Sequence, residues 1–234
     1  MVAVADAERL SVIVPTLNEA SGIEATLQAL QALRSRGHEI IVVDGGSSDN
    51  TVALATPLAD RVIASARGRA LQMHAAARSA SGAVLWFLHA DTRPPADADR
   101  IILPALRSQG RVWGRFDVAL SGPALLTLVA WLMNQRSRLT GIATGDQAVF
   151  VTRAAYWQAG GFVQIPLMED IALSRALKRI SRPVALQVRV HTSNRRWQRH
   201  GIVRTVLTMW LLRLGYFIGV KPARLAAMYA AHDA

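Results

Sequence analysis

At 234 residues and 51% hydrophobic content, the chain is long enough to bury a core. Those figures suit one α/β domain with an appendage and exclude a largely disordered segment. It has no cysteine, which rules out both a disulfide framework and a thiolate metal site. The formal net charge is +11, and all of it lies beyond residue 170: residues 1–170 carry 15 basic and 15 acidic side chains, whereas residues 171–234 carry 12 basic ones against Asp233 alone.

A basic tail that is also rich in Leu, Trp and Tyr points to an anionic membrane surface and away from nucleic acid. Acidic Asp6 and Glu8 precede the first short apolar run, so the start of the chain lacks the pattern of a secretory signal. A cytoplasmic location is expected.

Residues 11–15 (SVIVP) form a short β-branched run, followed by the polar loop Thr16-Leu17-Asn18-Glu19. Ser21 and Glu24 have the spacing of a capping box. Ile23, Leu27, Leu30 and Leu33 then predict one helix to about Arg36, ended by Gly37. Residues 39–43 (EIIVV) read as a second buried strand, which runs into Asp44-Gly45-Gly46-Ser47-Ser48-Asp49-Asn50-Thr51. A third strand over 61–64 leads through Arg67, Gly68 and Arg69 into a helix rich in Ala, Leu and Met.

The run 84–88 (VLWFL) lacks alternation and predicts a strand covered on both faces. It ends in His89-Ala90-Asp91, and Pro94 and Pro95 stop the strand. If the segment stays extended, residues 89 and 91 share one side. This β-α-β-α-β-α-β order predicts a parallel sheet with right-handed crossovers.

The second half is less regular. A helix is predicted over 101–107, a weak strand over 111–120 and an apolar helix with a basic end over 123–138. A strand over 147–151 and a helix over 154–159 follow, then a break at Gly160-Gly161. A helix opening on Glu169-Asp170 runs to 180, and a strand over 183–190 leads to His191.

Ligands of parallel sheets gather at the carboxyl ends of strands, and four such ends fall on one edge here. Asp44 can accept hydrogen bonds from ribose hydroxyls or a base, and Gly45, Gly46 and Gly68 let backbone approach a ligand. Arg67 or Arg69 can pair with phosphate. No glycine-rich phosphate loop is present, so metal and arginine would have to hold a nucleotide's phosphates. Asp91 with His89, completed by His191, offers a carboxylate–imidazole set suited to Mn²⁺, or to Mg²⁺ with diphosphate and water. Asp170 can serve as a general base. Each feature alone also fits a plain turn, a helix cap or a surface histidine.

Taken in order, these motifs resemble family 2 glycosyltransferases with the GT-A fold, over about residues 10–200. Residues 12–19 (VIVPTLNE) resemble the family's opening strand and nucleotide loop. Residues 39–51 resemble its V-D-D-G-S-x-D-x-T element, and residues 68–82 its following helix. Leu88-His89-Ala90-Asp91 stands at the D-x-D position, and residues 168–173 (MEDIAL) resemble the E-D-x-x-L element. A closer likeness is to small bacterial radical-SAM/selenodomain-associated transferases, which carry H-A-D-T and G-D-Q-x-x-F.

The resemblance implies a transferase that takes a sugar from a nucleotide-diphosphate donor to an acceptor hydroxyl with inversion. Pro15, Thr16, Asn18, Glu19, Asp44 and Ala90, with Arg67 and Arg69, would contact the nucleotide. Asp91, with His89 and His191, would hold a divalent metal (Mn or Mg), Arg195 and Arg196 would bind diphosphate, and Asp170 would be the base. His89 departs from the family by replacing the usual first Asp, which lowers the site's charge.

The expected division is a GT-A domain over 1–200 and a helical, membrane-proximal segment over 201–234. Residues 201–220 approach spanning length but contain Arg204 and Arg213. They read as a peripheral helix on the cytosolic face of the membrane, with a lipid-linked acceptor in view. The alternatives are a non-catalytic membrane-associated sugar-nucleotide-binding protein and a nucleotidyltransferase on a similar sheet.

Overall fold

A computed structural model describes residues 8–233, without the side chains of residues 196, 199, 200 and 231–233. Its elements are β1 (Leu10–Thr16), α1 (Ile23–Ala29), α2 (Gln31–Ser35), β2 (Glu39–Asp44), α3 (Thr51–Ala55), β3 (Arg61–Ala64), α4 (Arg69–Ser79), β4 (Val84–Phe87), β5 (Thr92–Arg93), α5 (Ala98–Ser108) and β6 (Trp113–Leu120). They continue with α6 (Ala124–Thr140), β7 (Phe150–Thr152), α7 (Arg153–Gln158), α8 (Glu169–Lys178), β8 (Val184–Thr192), α9 (Arg195–His200), α10 (Ile202–Phe217) and α11 (Pro222–Asp233).

The strands join one sheet in the order β3-β2-β1-β4-β7-β6-β8-β5. β3, β2, β1 and β4 are parallel neighbours; β7 runs antiparallel to both β4 and β6, and β8 is parallel to β6. This is the α/β architecture that the strand–helix alternation predicts.

The apolar runs are continuous because both faces of the sheet are covered. Val12 and Val14 of β1 enter one buried cluster with Ile23, Leu27, Leu30 and Trp86. Ile13, between them, enters the other with Met73, Phe87, Tyr156 and Leu177. Each such fully buried aliphatic side chain stabilises the fold by ~1.5–3 kcal/mol.

Three sequence expectations change. The helix predicted over residues 21–36 is two pieces, α1 and α2, and the capping box does not form: Gly22 is the cap residue and offers no side-chain bond. The Ser21 hydroxyl instead accepts a hydrogen bond from Arg195 at 2.9 Å. The residues past β4 do not remain extended, because Thr92 N–H donates to the His89 carbonyl at 3.1 Å and closes a turn. The segment over 201–220 is the shorter α10, followed by a reversal at Gly219 (φ 90°) into α11.

α6 packs on β6 through Leu126, Val129 and Ala130, with Trp197 and Val206 against the same cluster. α10 and α11 seat Leu212 and Leu225 on Ile142, Met168 and Ile171. The tail therefore covers the loop before β7 and the start of α8.

Candidate active site

Four strand ends meet at one edge of the sheet, and α6 and α10 close over them around a cavity of about 640 Å³. Pro15, Glu19, Arg69, His89, Ala90, Asp91, Thr192 and Ser193 line it from the sheet side. Trp131, Arg136 and Leu139 of α6 and Val206, Met209, Trp210 and Arg213 of α10 line it from the helical side.

The loops behind Pro15 and Glu19 are braced by hydrogen bonds. Asp44 Oδ2 accepts from the Gly46 and Ser47 amides, both at 2.9 Å, and Oδ1 accepts from the Ser47 hydroxyl at 2.5 Å. Ser47 Oγ accepts from the Asn18 amide, and Asn18 Oδ1 accepts from the Ser48 amide, both at 2.8 Å. Gln72 of α4 donates to the carbonyls of Thr16 and Val43, both at 2.8 Å. A Cβ at Gly45 would come within 3.1 Å of the Gln72 carboxamide, so glycine lets α4 draw this close. Thr16, Asn18 and Asp44 thus shape the loops and do not themselves line the cavity.

Among the described residues three non-glycine ones take positive φ: Asn18 (53°), Ala148 (47°) and Met168 (70°). They sit in the loop after β1, in the loop before β7 and at the start of α8. Such backbone costs about 1–3 kcal/mol per residue and tends to gather at functional sites.

The residues past β4 approach the cavity through their turn. His89 Nδ1 lies 3.3 Å from Asp146 Oδ1. Its Nε2 is buried and has no hydrogen-bond partner among the described residues. A Cβ at Gly145 would come within 2.5 Å of that nitrogen, so the ring packs flush on the Gly145 backbone. His191 is exposed and pairs with Arg93 in the β5–β8 ladder. Its neighbour Thr192 turns the opposite way, meeting Thr92 at 2.9 Å and lining the cavity. His191 itself does not line the cavity. Among the described residues no three His, Asp or Glu side chains are grouped to hold a metal ion.

Asp170 lines a small recess with Arg69, His89, Gly145, Glu169 and Phe162; Arg69 and His89 also line the main cavity. Asp170 Oδ2 accepts from the Gly145 amide at 3.0 Å. Glu169 is buried and stands 4.0 Å from Arg69. Burial, and then the Asp170 charge, push the Glu169 carboxyl above the usual range, with Arg69 opposing. Arg195 bridges the two halves of the chain: it donates to Glu19 Oε2 at 2.8 Å and to Ser21. The side chain of Arg196 lies outside the described residues. Arg67 is exposed and does not line the cavity.

Reading the sequence did not single out Arg136, Arg213 or Gln72 for the site. The only signal was arginine on apolar helices at Arg136 and Arg213. For Gln72 it was a polar residue on the buried side of α4.

A family model described as glycosyl transferase family 2 matches residues 11–155. An uncharacterised glycosyltransferase of Mycobacterium tuberculosis strain H37Rv is 36% identical over 117 residues. That alignment covers 46% of this chain and 45% of the relative, so the chain matches less than half of the relative's length. Among solved structures, glucosyl-3-phosphoglycerate synthase from Mycobacterium tuberculosis, in complex with Mn²⁺, UDP and glucosyl-3-phosphoglycerate, superposes with a TM-score of 0.59 at 20% identity. It covers 79% of this chain and 70% of that one. TarS from S. aureus in complex with UDP-GlcNAc gives a TM-score of 0.64 at 16% identity, covering 79% and 58%.

Proposed function

The chain belongs to glycosyl transferase family 2, and from that premise we propose that it moves a sugar from a nucleoside diphosphate donor to an acceptor hydroxyl, inverting the anomeric carbon. The observation that carries this reading is the meeting of Asp91 and Glu19, the latter bonded to Arg195, at one cavity with Asp170 in the adjoining recess.

In this reading the nucleotide lies against the loops braced by Asp44, Asn18 and Gln72, beside Pro15, Glu19 and Ala90. Two of the neighbouring structures were determined with Mn²⁺ or Mg²⁺ and UDP. The Asp91 carboxylate on the cavity wall, which it shares with Glu19 and Asp146, would suit either hard cation, with diphosphate oxygens and water completing the set. His89, packed on Gly145 and directed to Asp146, and His191, exposed and not lining the cavity, leave Asp91 as the proposed ligand. A bound cation supplies charge neutralisation on the leaving diphosphate. Arg195 adds a planar cation there, once the diphosphate competes with Glu19 for it.

Asp170 takes the proton from the acceptor hydroxyl. Glu169, in the same recess, is the weaker candidate, because it is buried and faces Arg69. A single base with direct attack from the opposite face of the sugar produces inversion.

α6 and α10 expose Leu128, Trp131, Leu207, Trp210, Leu211 and Phe217. Both helices flank the cavity, and α10 lies in the stretch beyond residue 170 that carries the net positive charge. No helix among the described residues is long and apolar enough to cross a membrane. At 16 residues, α10 is about 24 Å long. These features support a peripheral enzyme on the anionic cytosolic face of a membrane, with residues 201–234 as the contacting segment and a lipid-linked acceptor. The H-A-D-T and G-D-Q-x-x-F motifs support the radical-SAM-associated bacterial subgroup.

The test is Asp170→Asn, which keeps size and hydrogen-bonding while removing basicity. Transfer from the preferred sugar nucleotide should fall by about 10²-fold or more, with donor affinity nearly unchanged. Near-normal turnover would place the base elsewhere.

A further inference from the structure

Two arginines line the helical side of the cavity without an ion-pair partner among the described residues. Arg136 comes from the last turns of α6 and Arg213 from α10. Nε and Nη2 of Arg136 are buried and have no hydrogen-bond partner among the described residues. Arg138, two residues further on, shows the satisfied alternative: it donates to Asp117 at 2.7 Å, and Asp117 also pairs with the buried Arg115. Arg213 has no carboxylate within ion-pairing distance among the described residues.

The energetic state of the pair follows from this arrangement. Burial, and then the charge of Arg213, lower Arg136 to about 10. Burial lowers Arg213 as well. Asp170 acts electrostatically on both and Asp146 on Arg213, but neither forms an ion pair with them. Two desolvated cations that repel each other are costly unless an anion comes between them. The donor's diphosphate already has Arg195 and Asp91 on the sheet side. The wall around the arginines is Trp131, Met209 and Trp210, which would hold the non-reacting body of a ligand.

Building on the proposed glycosyltransferase reading, we infer that Arg136 and Arg213 bind a phosphate group carried by the acceptor. Two guanidinium forks match the two charges and several oxygens of a phosphate monoester better than those of a single carboxylate. The group presents the acceptor hydroxyl to Asp170 while the aromatic wall receives the rest of the molecule. It belongs either to a soluble phosphate ester or to the headgroup of an amphiphile.

Calorimetric titration of the full chain separates these sources. The probes are inorganic phosphate, glycerol 3-phosphate and dihexanoyl phosphatidic acid below its micelle concentration, each with and without saturating UDP and Mn²⁺. Arg136→Gln and Arg213→Gln should each weaken glycerol 3-phosphate binding by about 10-fold or more, while UDP affinity stays within about twofold. Arg136→Lys keeps charge without the fork and should bind with intermediate affinity. The ligand-free Arg136→Gln chain should melt at or above the wild-type temperature, since an unpaired buried charge has been removed. A structural arginine would lower it.

Tighter binding of the phosphatidic acid than of glycerol 3-phosphate assigns the amphiphile, and equal binding the soluble ester; either supports the site. Undiminished phosphate binding in the double glutamine variant overturns the inference, as does a parallel loss of UDP affinity, which would make these donor residues. Phosphate binding through the arginines without any nucleotide binding supports this site and counts against the donor reading. UDP binding without any phosphate binding does the reverse.

Discussion

The two walls of the cavity are built on opposite principles. On the sheet side, the polar groups of the loops after β1 and β2 are largely paired with one another: Asp44 with Gly46 and Ser47, Asn18 with Ser47 and Ser48, Gln72 with two carbonyls. On the helical side, the wall is apolar and carries the unpartnered donors of Arg136. Loops braced from behind in this way hold Pro15 and Glu19 in place, so that this part of the wall meets its ligand without reorganising, which suits a nucleotide common to many reactions. A wall with unmade bonds gains from its ligand what it lacks alone, which suits a specificity-determining acceptor.

The largest effect that can break this contrast comes from the hinge between the walls. At Gly145→Ala the new Cβ would meet the His89 ring at 2.5 Å. It would push the ring from Asp146 and lift the Gly145 amide from Asp170. Transfer should fall by about 10²-fold, because catalytic groups are displaced by about an ångström. Steady-state kinetics with the preferred donor reads this, and unchanged turnover would show the loop to be indifferent.

The scaffold beneath the sheet side gives the next effect. His38 Nδ1 accepts from the Leu10 amide at 3.2 Å, so the proton lies on Nε2, which faces Asp99 at 3.0 Å. Arg36 also donates to Asp99, at 2.6 and 2.8 Å. Burial pushes the Asp99 carboxyl up, but these two partners outweigh it and hold the group at about 2. The folded value lies below the unfolded one, so the stabilisation is complete above the ordinary carboxylate range and is lost as pH falls from about 4 through about 2. Asp99→Asn should cost about 1.5–3 kcal/mol at neutral pH and should flatten that part of the acid dependence in urea unfolding curves.

The smallest effect is on the outer surface. Binding to anionic vesicles should weaken with salt, each basic side chain near the surface contributing about 1 kcal/mol. Replacing exposed Leu207 and Leu211 by Ser should reduce the part that salt leaves. Equal binding to neutral and anionic vesicles would contradict a charged docking face, as would no binding at all.

The contrast also explains what the sequence showed beforehand. The buried strands are legible because Val12, Ile13 and Val14 have no polar alternative, and the donor loops because glycine and carboxylates follow strands at regular spacing. The failure of the capping box was hidden, since Ser21 and Glu24 satisfy the pattern but Arg195, distant in sequence, takes the Ser21 hydroxyl. His89 and Asp91 do reach one cavity, but through a turn that strand alternation did not predict. His191 pairs with Arg93 of β5 and does not line the cavity, a register that the sequence does not show. Arg136 and Arg213 could not be joined from sequence, because only the packing of α10 over α6 makes them neighbours.

The most direct measurement of the central claim is thermal denaturation of the wild-type chain and Asp91→Ala with UDP and GDP, each with and without Mn²⁺. Binding to the folded state adds about 2.7 kcal/mol of stability at a hundredfold excess over Kd, and so raises the melting temperature. The wild-type chain should be stabilised by one of the two nucleotides, more so with Mn²⁺, and the Mn²⁺-dependent gain should be absent in Asp91→Ala. An equal Mn²⁺-dependent gain in the variant, or no stabilisation of the wild-type chain by either nucleotide, would contradict the account.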